Sequence, residues 1–363
     1  MVPVPIIVPF SFCLPPGSGC RMGKRLDAGC RAMAFSSKAR RAWRGPSERA
    51  MTEPSSDATP DTQTSAAQTP SGDRQPDVDA LLGILDLEQL EINLFRGRSG
   101  SPGGGRVFGG QVIAQALVAA RRTVDPARVV HSLHGYFLLG GDPSIPIVYD
   151  VDRIRDGRSF ATRRVVAIQH GRAIFFMSAS FQVVEDGLTH QAKMPHVPTP
   201  EELPPDEVWR ERLLKRFPAA ALRDWMALRP LEVKPIFLDG SYATSSPDAK
   251  ASLWLRARGR LPDDLPTHQA VLAYASDLSL LQAALVPHGR SVFDADLQCA
   301  SLDHALWLHQ PFRADEWLLY SQESPMATGA RGFCRGQLFT RDGVLVASSA
   351  QEGLMRPVEP RGR

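Results

Sequence analysis

Residues 111–120 read QVIAQALVAA. Only Gln111 and Gln115 are polar, so a helix formed here has no face to offer water and must be buried on all sides. The chain that follows is built to bury it. Four runs have the alternation and composition of strands: Val129–Leu139, Ile145–Ile154, Ser159–Gln169 and Ala173–Val184. Their breaks, GGDPS at 140–144, RDG at 155–157 and HG at 170–171, are the residues of tight reversals, which makes neighbouring strands antiparallel. Upstream, Asp86–Arg96 (DLEQLEINLFR) reads as a short strand or turn, and Gly100–Gly105 as a flexible loop.

The pattern then recurs. A proline-rich connection over 185–230, with one helix predicted at Asp206–Phe217, leads to strand-like runs at Leu231–Phe237 and Ser252–Ala257. A second apolar helix is predicted over His268–Leu285, with Val271, Tyr274, Ala275, Leu278, Leu281 and Leu285 at helical spacing. Four more strands follow: Leu297–His309, Trp317–Glu323, Arg331–Thr340 and Val344–Gln351. Laid over each other, the halves match Ser132-Leu133 with Ser301-Leu302, Gly171 with Gly343, and Phe108–Gln111 with Tyr274–Asp277. A long helix followed by an antiparallel sheet that wraps it is the hot-dog arrangement. Its repetition predicts an α+β double hot-dog in which the two sheets join and cover each other's open edges. The expected boundaries are a tail over 1–80, a first hot-dog over 81–185, a linker over 186–230, a second hot-dog over 231–356 and a tail over 357–363.

The formal net charge of +3 comes from the first fifty residues, which carry nine Lys or Arg against two acidic side chains. The remainder holds 33 basic against 37 acidic residues, with no basic stripe to suit a nucleic acid. Residues 51–78 are nearly all Ser, Thr, Pro, Asp, Gln and Ala, too poor in apolar side chains to offset the entropy of ordering. Prolines 3, 5, 9, 15 and 16 interrupt the apolar start, which suits neither a signal peptide nor a membrane span. Residues 21–50, Arg-rich and acid-poor, have the composition of an organelle transit peptide; the favoured expectation is that translation starts at Met51 or Met33. Only Cys299 and Cys334 fall in the foldable part, which points to a reducing compartment, with the cytoplasm as the default location.

Several stretches together resemble one known family: NLFRG at 93–97, RVFGGQVIAQAL at 106–117, HSLHGYFL at 131–138, YASDLSLL at 274–281, SLDHALWLH at 301–309, EWLLYSQES at 316–324 and QEGLMR at 351–356. The family is acyl-CoA thioesterase II, bacterial enzymes whose relatives include peroxisomal thioesterases, and the resemblance spans about residues 82–356. It implies hydrolysis of medium- to long-chain acyl-CoA without metal or organic cofactor. It also implies a catalytic group formed by Asp277, Ser301 and Gln351, with Ser301 standing where some relatives carry Thr. By analogy with such relatives a homo-oligomer, dimer or tetramer, is expected, with acyl-CoA as partner and neither nucleic acid nor membrane.

Those residue types suit the reaction. A thioester has an electrophilic carbonyl and a good leaving group, so it needs a positioned water and a base more than a strong nucleophile. Asp277, expected inside an apolar helix with Ala273, Leu280 and Ala284 on its face, is costly to ionise when buried, and its pKa rises accordingly. A carboxylate of that kind accepts a proton from water as general base. Ser301 and Gln351 supply neutral hydrogen-bonding groups to orient it, and N–H groups opening an apolar helix suit an oxyanion. The plainer reading of Asp277 is a satisfied buried carboxylate without chemistry. Gln111, matched to it in the first half, lacks a carboxylate, which predicts one competent site per chain.

Two other functions compete. Asp263-Asp264-Leu265-Pro266-Thr267-His268 resembles the Asp-x-Asn-Pro-x-His dyad of hot-dog 2-enoyl-CoA hydratases, with Leu265 in place of its Asn; that reading pairs Asp263 with His268. A non-catalytic acyl-CoA binding module would keep the tunnel and need no polar trio. His131 and His134, three apart in a strand, point to opposite faces and cannot chelate together. No G-x-S-x-G nucleophile elbow occurs.

Overall fold

The computed structural model describes residues 75–99, 105–219, 222, 230–236 and 249–358. All of them lie in one compact unit, Ala66–Arg363. The expectations for residues 1–74, for most of the 100–105 loop and for 359–363 lie outside the described residues. The stretch expected as tail ends sooner than its composition suggests. Helix α1 spans Gln75–Leu85, and Val78, Leu81 and Leu85 are buried along one stripe of it. Averaged over 51–78 the chain is apolar-poor, but Val78 is the first member of an i, i+3, i+7 set that continues past residue 80.

Strands β1 (Glu88–Glu91) and β2 (Leu94–Gly97) precede helix α2 (Gly109–Arg121), and β3 (Arg128–Phe137), β4 (Ile147–Asp156), β5 (Phe160–Gln169) and β6 (Arg172–Val183) follow it. After α3 (Asp206–Arg216), the second half repeats the plan with β7 (Leu231–Ile236), β8 (Lys250–Ala257) and α4 (Leu265–Ser276). A short α5 (Gln282–Leu285), β9 (Leu297–Ser301), β10 (Asp303–Leu308), β11 (Leu318–Thr328), β12 (Arg331–Thr340) and β13 (Leu345–Pro357) complete it. Among the described residues all thirteen strands belong to one antiparallel sheet. Its order, β1-β2-β4-β5-β6-β3-β10-β13-β12-β11-β8-β7, runs through the first half and then through the equivalent strands of the second half in reverse. The halves therefore meet at β3 and β10, where Leu133 lies opposite Leu306. This is the double hot-dog expected from the element order.

Helices α2 and α4 pack on each other inside the sheet, antiparallel, with nearly every residue buried. The contact between their ends is close. A Cβ on Gly110, in the first turn of α2, would stand 2.1 Å from the Tyr274 carbonyl oxygen near the end of α4, so only glycine fits.

Two predicted elements are each broken. The helix expected over His268–Leu285 starts earlier, at Leu265, because the Asp264 side chain accepts the Thr267 N–H (3.0 Å) and Pro266 suits a first turn. It stops at Ser276, and Asp277 is its C-cap with φ −86° and ψ −1°. Asp277 is thus at a helix end rather than inside one. The strand expected over Leu297–His309 breaks at Leu302. Pairing with β13 shifts there by one residue, from Ser301 opposite Gly353 to Ala305 opposite Ala350. Such a bulge re-aims side chains: Ser301 and His304, three apart, both reach the helix side of the sheet.

Candidate active site

The bulge, the end of α4 and the middle of β13 bring the three residues expected from sequence together. The Ser301 hydroxyl donates to Asp277 Oδ1 at 2.9 Å, and Gln351 Nε2 donates to the same oxygen at 2.9 Å. Gln351 Nε2 also donates to Ser301 Oγ at 2.5 Å, closing a triangle. The other carboxylate oxygen, Oδ2, lies against the first turn of α2; a Cβ on Gly109 would meet it at 2.4 Å. The backbone N–H of Gly110 donates to the carboxylate from that same turn. Glycines 109 and 110 thus let one half's helix begin where the other half's helix ends.

Burial pushes Asp277 up to about pKa 6, against the hydrogen bonds from Ser301, Gln351 and Gly110 that favour its charged form. It sits at the negative end of α4 and the positive end of α2, whose dipoles act on the carboxylate in opposite senses. Behind Gln351 stands His304, fully buried and held down to about pKa 4 by desolvation. Its Nδ1 lies 4.0 Å from Asp277 Oδ1, but a neutral imidazole makes this no ion pair.

Comparison with known proteins identifies the family. Residues 98–182 match the model of an acyl-CoA thioesterase N-terminal domain and residues 227–354 that of acyl-CoA thioesterase. The chain is 40% identical over 276 residues to acyl-CoA thioesterase 2 of Haemophilus influenzae, covering 76% of this chain and 96% of that one. The chain belongs to the acyl-CoA thioesterase family. A crystal structure of an acyl-CoA thioesterase II from Mycobacterium marinum is 45% identical, with a TM-score of 0.64 over 78% of this chain and all of that one. A hot-dog-fold protein of Alicyclobacillus acidocaldarius, at 21% identity, shares the fold with a TM-score of 0.62 over 77% of this chain and 98% of its own.

Among the described residues, one cavity lies at each end of the helix pair of this thioesterase. One, of about 310 Å³, is lined by Gly109 and Ser301, which both touch Asp277, and by apolar side chains including Val107, Val112, Phe137, Ile174 and Phe175. The other is larger, about 380 Å³, and lies at the opposite helix ends between Leu117, Arg121, Pro266 and Ala270. The smaller one is the candidate site, because it adjoins Asp277, a carboxylate with a raised pKa on which Ser301 and Gln351 converge.

The hydratase pair does not assemble. Asp263, largely exposed, binds Arg313 at 2.5 Å, while buried His268 accepts the Ala314 N–H on Nδ1 at 3.0 Å. The matching of Gln111 with Asp277 also fails. Gln111 opens α2, donating to the Arg98 carbonyl at 3.1 Å, whereas Asp277 closes α4; the residue that closes α2 is Arg122. His131 and His134 are not a chelating pair; His131 contacts Ser180 Oγ at 2.8 Å and His134 stacks edge-on against Trp307. Sequence reasoning missed His304, Ser276 and the Gly109-Gly110 contact. The glycine pair at the mouth of an all-apolar helix was the one available signal for a close approach.

Proposed function

We propose that the protein hydrolyses medium- to long-chain fatty acyl-CoA to free fatty acid and coenzyme A, with Asp277 as general base and Ser301 and Gln351 as its positioning partners. The observation that carries this is the convergence of both partners on Oδ1, which leaves Oδ2 turned toward the first turn of α2 beside the cavity. A water held between Oδ2 and the thioester carbonyl gives its proton to Asp277 as its oxygen bonds to the carbonyl carbon. The developing oxyanion then faces the N-terminus of α2, where backbone N–H groups favour negative charge. Collapse breaks the carbon–sulfur bond, and the proton on Asp277 returns to the departing thiolate. The acyl chain lies along Val107, Val112, Phe137, Ile174 and Phe175.

A homo-oligomer, dimer or tetramer, formed through the outer face of the sheet belongs to the same proposal. Tyr136, stacked on Phe176, and Phe333 are apolar and exposed there. A cytoplasmic location is supported by Cys299 and Cys334, both unpaired. Among the described residues no helix is long and apolar enough to cross a membrane. The test is thiol release from acyl-CoA of increasing chain length. Asp277→Ala is expected to lower kcat by roughly 10²–10⁴-fold at every length. Retention of more than a tenth of wild-type kcat by that variant removes Asp277 from the chemistry.

A further inference from the structure

Asp277, when ionised, only accepts hydrogen bonds, so the groups pointing at Oδ1 must be donors. That fixes the Gln351 side chain: its NH₂ faces Asp277 and Ser301, and its carbonyl oxygen Oε1 faces the other way. There it meets His304 Nδ1 at 3.4 Å. On the far side of the ring, Nε2 lies 2.9 Å from Ser276 Oγ. A neutral imidazole carries one proton. If that proton sat on Nε2, the Nδ1 lone pair would face the Gln351 carbonyl oxygen, two acceptors in a dry pocket. If Gln351 turned its amide over to relieve this, its oxygen would stand against the carboxylate instead.

We infer that His304 is the positioning residue of the site, protonated on Nδ1, and that it holds the Gln351 amide the right way round to donate to Asp277. This rests on the reading of Asp277 as the base. The chain of direction then runs from Ser276 to Asp277. The Ser276 hydroxyl donates to His304 Nε2, His304 Nδ1 donates to Gln351 Oε1, and Gln351 Nε2 donates to Asp277 Oδ1 and Ser301. The hydroxyl has one other acceptor in reach, the Ala273 carbonyl at 3.0 Å. Tyr320 fixes the residue from its backbone side, donating to the Ser276 carbonyl at 2.9 Å. The bulge at Leu302 makes the arrangement possible by putting His304 on the same side of the sheet as Ser301.

The test uses two amides of different reach in the full-length enzyme. Asn at 304 places its NH₂ where Nδ1 stands; Gln places it where Nε2 stands. His304→Asn is expected to keep kcat within about fivefold of wild type, while His304→Gln loses about thirtyfold or more with KM within about threefold. In His304→Gln the acid limb of the pH–rate profile moves up, because the amide no longer donates to the carboxylate; in His304→Asn it stays in place. A purely space-filling role predicts the opposite order, since Gln is closer to His in volume, and that order, or equal losses, overturns the inference. Nitrogen-15 NMR of the wild-type His304 ring decides it without any variant: Nδ1 protonated supports it, Nε2 protonated overturns it. Failure of the base reading is seen separately, as activity in Asp277→Ala.

Discussion

The two ends of the helix pair are built from the same elements and differ in their terminal residues. At one end α4 closes on Asp277 and α2 opens on Gly109-Gly110. At the other, α2 closes on Arg122 and α4 opens on Leu265-Pro266. The N-cap of α2, Phe108, makes no side-chain hydrogen bond to the helix; Gln111 N–H donates to the Phe108 carbonyl, and Gly110 N–H is left to the carboxylate. The first turn of α4 is already closed by Asp264 on Thr267 and by a proline without an N–H. Arg122 turns away to Asp86 and to the Leu87 carbonyl. The larger of the two cavities is at this second end. Space alone therefore does not mark the site. What separates the ends is whether the helix N-terminus is closed by a capping side chain and whether the C-cap facing it is an acid or an arginine.

The sharpest way to break that contrast is to close the open terminus. Gly110→Ala puts a methyl group into the Tyr274 carbonyl, so a kcat loss of at least about 100-fold is expected, together with destabilisation of about 1–3 kcal/mol read by denaturant melts. Pro266→Ala, in the first turn at the other end, is expected to leave kcat within about twofold.

A second measurement uses proton affinity. With Asp277 near pKa 6, kcat/KM is expected to rise with unit slope up to about pH 6 and then level off. Gln351→Ala removes a donor to the charged form, so the limb should move to higher pH as the plateau falls. A limb that stays put would separate Gln351 from Asp277.

The third concerns stability. The folded pKa of Asp277 is raised above its unfolded value, so this group's contribution is fully present below pH 3.8 and lost as pH rises through about 6. Asp277→Asn is therefore expected to be more stable than wild type at pH 8, by about 1–3 kcal/mol, and to lose that advantage by pH 4. Thermal melts across this range check it. The smallest effect is expected at the second end, where Leu117→Trp, filling the larger cavity, should change kcat by less than about threefold.

The element order was legible because two all-apolar helical stretches and two sets of alternating runs leave few other arrangements. Asp277, Ser301 and Gln351 were reached through motif resemblance, and their geometry was not legible. The stop of α4 at Ser276 carries no Gly or Pro, and the apolar pattern continues through Leu278, Leu280 and Leu281, so a helix was expected to run on. The bulge at Leu302 depends on pairing with β3 and β13, which no local pattern encodes. His304 was hidden for the same reason: in an unbroken strand it would face away from Ser301. Helix α1 was overlooked because Val78 sits at the margin of a polar tract, although Val78, Leu81 and Leu85 carried the signal.

The seam between β3 and β10 has a bearing on how the molecule comes apart. Strands β6 and β7 are seven places apart in the sheet, about 34 Å along it, which some ten extended residues could cross. Residues 184–230 are several times longer, and their first part is stapled down by Gln191 on Gly343, Glu201 on Arg341 and the Pro198 carbonyl on Trp254. The described part of the linker thus rests on the second half, and the joint between the halves is made by the sheet itself. A single protease nick in the linker should give two fragments that elute as one particle and keep their shared pocket.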